Sequence, residues 1–124
     1  MQPDPSETDC KVAHVIEFFS GRWKLQIVFW LLQSPYRFNA LQRQLGPITH
    51  RTLSRQLGEM IDAGLVIRTD FQTVPPHVEY SLTPLGHSLV PVLQTIRDWA
   101  DENADTLAVP AKHPSPNQLV AQSL

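Results

Sequence analysis

Near the middle of the chain, the run Thr49-His50-Arg51-Thr52-Leu53-Ser54-Arg55-Gln56 gathers side chains that can grip an anion or read a base edge. A guanidinium binds a phosphate, or the O6/N7 edge of guanine, through two parallel hydrogen bonds, and a glutamine amide matches adenine in a similar two-point way. Arg51 and Arg55 are four residues apart, so on a helix they share one face, flanked by His50, Thr52 and Gln56. Leu53, Leu57, Met60 and Ile61 form the opposite, apolar stripe. An exposed helix side is usually polar whatever its role. Here the surrounding charge adds weight. The 124 residues carry a net charge of −2, mildly unfavourable for an acidic polymer as partner. Yet no Asp or Glu lies between Glu17 and Glu59, whereas Arg22, Lys24, Arg37, Arg43, Arg51 and Arg55 all do. The acids gather at the flanks, at Asp4, Glu7 and Asp9 and again at Asp98, Asp101, Glu102 and Asp105.

Other chemistries find less support. The single cysteine, Cys10, cannot close an internal disulfide. His14, His50, His77, His87 and His113 are scattered without metal-ligand spacing, so no metal or cofactor is expected. No nucleophile sits with a base, and no paired carboxylates suggest acid-base work, so an enzyme is not expected. Trp23, Trp30 and Trp99 fall at helical positions, where aromatic residues are more often core than ligand cage. No apolar run approaches a membrane span and the N-terminus is polar and acidic, which points to a cytoplasmic protein without a membrane partner.

The elements that must carry these residues can be drawn from periodicity. Residues 1–8 and 106–124 read as flexible tails, leaving one domain over 9–105. Asp9 is the expected cap of a first helix with Val12, Val15, Ile16 and Phe19 on one face. A second helix, about Trp23 to Gln33, repeats Leu25, Val28, Phe29 and Leu32 and is apolar on its other side too, as a central helix is. Ser34-Pro35 breaks it, and Arg37-Phe38 leads into a short helix closed by Gly46-Pro47. Thr49 caps a fourth helix that ends at Gly64. The period then changes to alternation, with Leu65 and Ile67 facing one way and Val66, Arg68 and Asp70 the other. The segment from Gln72 to His77, with two prolines, is the loop of a hairpin returning through Val78 to Leu82. Thr83-Pro84 opens a last helix carrying Leu89, Val92, Leu93, Ile96 and Trp99, bent or distorted at Pro91.

This order predicts a mainly α fold with a small β-hairpin (α+β): a winged helix-turn-helix with additional N- and C-terminal dimerisation helices. The fourth helix is then the one placed in a DNA major groove, and Thr73 and His77 lie on the hairpin that reaches the neighbouring backbone. The expected DNA-contacting residues are Thr49, His50, Arg51, Thr52, Arg55, Gln56, Arg37, Thr73 and His77. A winged helix used only to bind another protein is the competing reading, and the acid-free stretch speaks against it.

Several runs resemble the HxlR-type bacterial transcriptional regulators: Gly21-Arg22-Trp23-Lys24, Arg37-Phe38-Asn39-Ala40-Leu41, Arg51-Thr52-Leu53-Ser54-Arg55-Gln56-Leu57, Ala63-Gly64-Leu65-Val66 and, most specifically, Pro75-Pro76-His77-Val78-Glu79-Tyr80-Ser81-Leu82-Thr83-Pro84-Leu85-Gly86. The resemblance spans roughly Cys10 to Glu102. It implies a homodimer built from the first and last helices and bound to double-stranded DNA at a palindromic operator, with room for a small-molecule or oxidant effector. Val12, Phe19, Leu93, Ile96 and Trp99 are the expected dimer contacts, since the last helix has more apolar surface than a small core needs. His77 stands where the family would carry an Arg, and Gly46-Pro47 reverses the usual order of the turn. Cys10 lies where some relatives sense oxidants or electrophiles. Lys11 and a helix start favour a thiolate there, Asp9 and Glu7 oppose it, and a packing role at a dimer seam is the other reading.

Overall fold

The computed structural model describes residues 5–108, with side chains from Cys10 onward. Five helices and one hairpin follow in the order α1 (Pro5–Phe19), α2 (Lys24–Gln33), α3 (Phe38–Leu45), α4 (His50–Asp62), β1 (Val66–Asp70), β2 (Val78–Leu82) and α5 (Pro84–Glu102). The expected element order is present. The strands pair antiparallel, Val66 opposite Leu82 and Asp70 opposite Val78. A third short piece joins them: Tyr36 exchanges both backbone hydrogen bonds with Tyr80, at 3.0 and 2.8 Å, so the segment before α3 closes the inner edge of the hairpin.

Local chemistry sets most boundaries. The Thr49 side chain accepts from the Thr52 amide at 3.1 Å and caps α4. Gly64, at φ 81°, supplies the left-handed residue that ends the α4 segment and turns the chain into β1. Thr83 does three things at once. Its side chain accepts from the Gly86 amide at 3.0 Å, its hydroxyl donates to the Gly64 carbonyl at 2.6 Å, and its amide donates to the Leu65 carbonyl at 3.0 Å. Gly86 itself lies so close to β1 that an added Cβ would stand 2.4 Å from the Leu65 carbonyl oxygen. The Leu82-Thr83-Pro84-Leu85-Gly86 run is therefore a structural junction between the end of α4, the hairpin and α5.

The core sits between α2, α3, α4 and the hairpin. Ile27, Leu41, Leu53 and Met60 are fully buried, with Val28, Leu45, Leu57 and Val66 nearly so. Burying side chains of this size stabilises the fold by roughly 1.5–3 kcal/mol each.

The structure corrects three readings. First, α1 begins at Pro5, so Asp9 is inside the helix and does not cap it, and residues 5–8, expected as tail, are helical. Second, the buried side of α2 is Lys24, Ile27, Val28 and Leu31; Leu25 and Leu32 are exposed, because α2 turns its Ile27 edge to α3 and the hairpin. Third, Leu65 and Val66 are both buried while Ile67 is half exposed, so the expected alternation does not hold across the exit from Gly64. Helix α5 runs from Pro84 to Glu102 with Pro91 inside it. The residues from 109 onward, including His113, lie outside the described part.

Candidate nucleic-acid interface

Three elements converge on one side of the molecule: the N-terminus of α3, α4 and the hairpin. The turn between α3 and α4 is closed by its own hydrogen bonds. The Gly46 amide donates to the Gln42 carbonyl at 3.1 Å, with Gly46 at φ 84°, and the Gln42 amide group donates to the Ile48 carbonyl at 3.1 Å. Gly46-Pro47 thus makes a tight turn despite its reversed order, with Ile48 buried as the anchor.

On α4 the apolar stripe faces in and leaves His50, Arg51, Ser54 and Arg55 exposed. Thr49 is exposed and its hydroxyl donates to the Thr52 hydroxyl at 2.9 Å, so both threonines are engaged in the cap. Neither Arg51 nor Arg55 forms an ion pair among the described residues. Two unpaired guanidinium groups one turn apart on the exposed side of α4 are suited to phosphate or a guanine edge. The His50 ring lies against Phe38, ring centres 4.5 Å apart, and Phe38 also meets Tyr80 at 6.3 Å. An aromatic chain thereby ties the start of α4 to the base of the hairpin. Gln56 is half-buried and its amide oxygen is buried without a partner, so the free protein does not present the donor-acceptor pair that a two-point adenine contact needs.

Arg37 is exposed immediately before α3, as expected for a flanking phosphate contact. Thr73 is exposed at the hairpin loop, its hydroxyl donating to the Pro75 carbonyl at 2.8 Å. His77 differs: its Nε2 is 2.8 Å from a Glu79 oxygen and its ring lies 4.6 Å from Phe71, so an acid of the strand that follows holds it.

One pairing was invisible in the acid-free stretch. Lys24 is buried at 8 % exposure, over the Phe18 ring, and forms an ion pair with Glu59 from the third turn of α4. The Lys24 ammonium beside Glu59 holds that carboxyl below the usual glutamate range, through its hydrogen bond first and its charge second. Lys24 therefore leaves the basic face, and Glu59 is neutralised at the point where α4 leaves it. Arg22 lies over the Trp23 ring at 4.5 Å.

A second surface is apolar. On α1, Val12, Val15 and Ile16 are 52–65 % exposed, and on α5 so are Val92, Ile96 and Trp99 at 54–57 %. Of the expected dimer contacts, Val12, Ile96 and Trp99 are free, whereas Phe19 and Leu93 are half-buried against the domain's own core. Trp99 is thus surface, unlike Trp30. Cys10 is exposed and unbonded as a thiol, but it lies more than a turn inside α1, away from the helix start. Its neighbour is His14, one turn on, with Sγ 3.7 Å from Nε2. That i, i+4 spacing is the signal in the sequence that marks the pair.

Comparison with known proteins agrees with this geometry. The family model described as HxlR-like helix-turn-helix matches residues 18–108. An uncharacterised HTH-type transcriptional regulator of Halalkalibacterium halodurans is 41 % identical over 96 residues, covering 77 % of this chain and 85 % of the relative. A transcriptional regulator of Enterococcus faecalis V583, described as of the MarR family, superposes with a TM-score of 0.75 at 35 % identity, over 85 % of this chain and 93 % of that one. The reduced form of the regulator YodB of Bacillus subtilis gives a TM-score of 0.71 at 27 % identity, over 82 % and 94 % of the two chains, and YodB has also been solved diamide-treated and quinone-bound.

Proposed function

The chain belongs to the HxlR-like helix-turn-helix family of transcriptional regulators, and from that premise we propose that it acts as a homodimer on a palindromic DNA operator, as a regulator and not a catalyst. The observation that carries this reading is the α4 face: Arg51 and Arg55 stand exposed and unpaired beside a Thr49-capped helix start, while the only acid on that helix before its last residue, Glu59, is consumed by Lys24. Recognition residues are then Arg51, Arg55 and His50 in the major groove, with Thr49 and Thr52 at the phosphates near the helix start and Arg37 on the flanking backbone. Gln56 joins them only after its side chain turns outward. Thr73 follows the hairpin to the adjacent backbone, and His77 contributes as a polar group balanced by Glu79.

The exposed apolar residues of α1 and α5 support a two-fold dimer, since contiguous exposed apolar surface usually marks an interface. Half-sites about 34 Å apart follow from such symmetry. No helix of the described residues is long and apolar enough to cross a membrane, in keeping with a cytoplasmic, DNA-associated protein. Cys10, exposed on α1, is the candidate residue through which an oxidant or electrophile alters binding.

The test is fluorescence anisotropy with DNA from upstream of the protein's own gene against a scrambled duplex, across a salt series. Tighter binding to the upstream DNA, two chains per duplex and a steep negative salt slope are the expected result. Equal weak binding to both duplexes, with no fragment preferred in a genomic selection, would refute sequence-specific regulation.

A further inference from the structure

Glu59 stands between two cations. It lies four residues after Arg55 on α4, a spacing that puts the two side chains on one face, about 6 Å apart along the axis and within reach of an ion pair. In the structure that pair is not made. Glu59 turns instead to Lys24, the first residue of α2, whose ammonium donates to its Oε2, while Arg55 is exposed and forms no ion pair among the described residues. The two competitors are held very differently. Lys24 is buried and its ammonium sits over the Phe18 ring, 4.8 Å from the centroid, so α1 and α2 fix it in one place. Arg55 projects into solvent with nothing to fix it. Both act on the same carboxyl, which is held below its usual range by the Lys24 hydrogen bond first, then by the Lys24 charge and, more weakly, by the charge of Arg55. The other acid of α4, Asp62, is seven residues beyond Arg55, about 10 Å along the axis, and does not compete.

We infer that Lys24 is a positioning residue for DNA binding: it draws Glu59 aside and so leaves the Arg55 guanidinium open to the duplex. The inference rests on the reading of α4 as the recognition helix and adds a buried residue, set back from that helix's exposed side, on which the reading depends. Without the Lys24 ammonium, Glu59 pairs with Arg55. Binding is then opposed twice, because the new pair has to open before Arg55 can reach a phosphate or a guanine, and because an uncompensated carboxylate repels the phosphates nearby. An exposed pair at this spacing accounts for about twofold in affinity, and the repulsion brings the expected loss to about fivefold. Arg51 is eight residues before Glu59, about 12 Å along the axis, so the pairing is confined to one of the two reading arginines.

The experiment is fluorescence anisotropy of the upstream duplex with the full-length protein at one fixed salt concentration, on variants checked for native fold by circular dichroism and for unchanged sedimentation. Lys24→Met, which keeps the length and the apolar stem, is expected to bind about fivefold more weakly. Lys24→Leu takes its place if it fails to fold. The loss is expected to disappear when Glu59→Gln is added, to shrink to about twofold in an Arg55→Ala background and to stay at about fivefold in an Arg51→Ala background. A merely structural role for Lys24 would not give that pattern. In the unbound protein the Arg55 Nε–H resonance is expected to shift on Lys24→Met and to return with Glu59→Gln. Full affinity in Lys24→Met, a loss that persists with Glu59→Gln, or an unmoved Arg55 resonance would overturn the role of Lys24 and leave the operator reading standing. A wild type that prefers no duplex over the scrambled one would overturn both.

Discussion

The α4 face and the α1–α5 face are both exposed, and they are opposites in chemistry. On α4, apolar residues are withdrawn almost completely and the exposed side chains are hydrogen-bond donors without internal partners. On α1 and α5, residues that could have been buried are left more than half exposed, from Val12 and Ile16 to Ile96 and Trp99. Solvent tolerates the first surface at no cost, so its meaning lies in the pattern of charge; the second is disfavoured in water, so its exposure alone argues that something covers it. The proposed partners differ accordingly. A polyanion is held by a few directed contacts that weaken with salt, and a second copy by area that salt scarcely affects.

The sharpest way to break that contrast is to attack the apolar face. Ile96→Asp combined with Trp99→Asp is expected to give a monomer in sedimentation velocity, and operator affinity should fall on the order of 1,000-fold because each half-site is then bound alone. If the double variant remains a dimer, the apolar face is not the seam. Arg51→Ala with Arg55→Ala is the converse experiment. Each lost contact costs about 1–3 kcal/mol, so anisotropy should show a fall on the order of 100-fold or more and a shallower salt slope, with sedimentation unchanged. A change of oligomeric state here would mean that the two faces are not independent.

Gly86→Val tests the junction that holds both faces on one body. The side chain would press on the Leu65 carbonyl and on Leu82, and a loss of about 2–3 kcal/mol is expected in urea denaturation. Smallest is Glu59→Gln, which leaves the Lys24 ammonium buried with a weaker partner; about 1 kcal/mol is expected, discounted because Glu59 is about half exposed. The sign with pH follows from the lowered folded-state value of Glu59. Its contribution is present above the usual glutamate range and is lost as the pH falls through that lowered value, so wild type and Glu59→Gln should converge in acid.

What could be read from the sequence was whatever is encoded within about one turn or one strand. Thr49, Gly64 and Thr83 act on residues two to four positions away, and each marked its boundary correctly. The α4 stripe was legible for the same reason. Pairings distant in the chain were not. Lys24 meets Glu59 across 35 positions, and counted alone it looked like part of a basic face. Tyr36 joins the hairpin through backbone bonds to Tyr80, which no side-chain pattern announces. Alternation places Ile67 inward with Leu65, but the chain leaving Gly64 buries Leu65 and Val66 in succession and leaves Ile67 half exposed. Surplus apolar residues on α5 were visible as a surplus, although only the fold could separate Leu93, kept for the domain, from Ile96 and Trp99, left outside.

The junction at Thr83 has a mechanical corollary. Because its hydroxyl and amide fasten the exit of α4 to the entry of α5, with Gly86 seated against the strand between them, α5 cannot swing relative to the reading helix without breaking the two bonds that Thr83 makes to the Gly64 and Leu65 carbonyls. In the proposed dimer each copy is then a stiff bracket, and a signal arriving at the α1–α5 side would act by changing the angle between two brackets. The gauge being set is the span between paired reading helices, and a duplex with fixed pitch registers a change in that span as a change in fit.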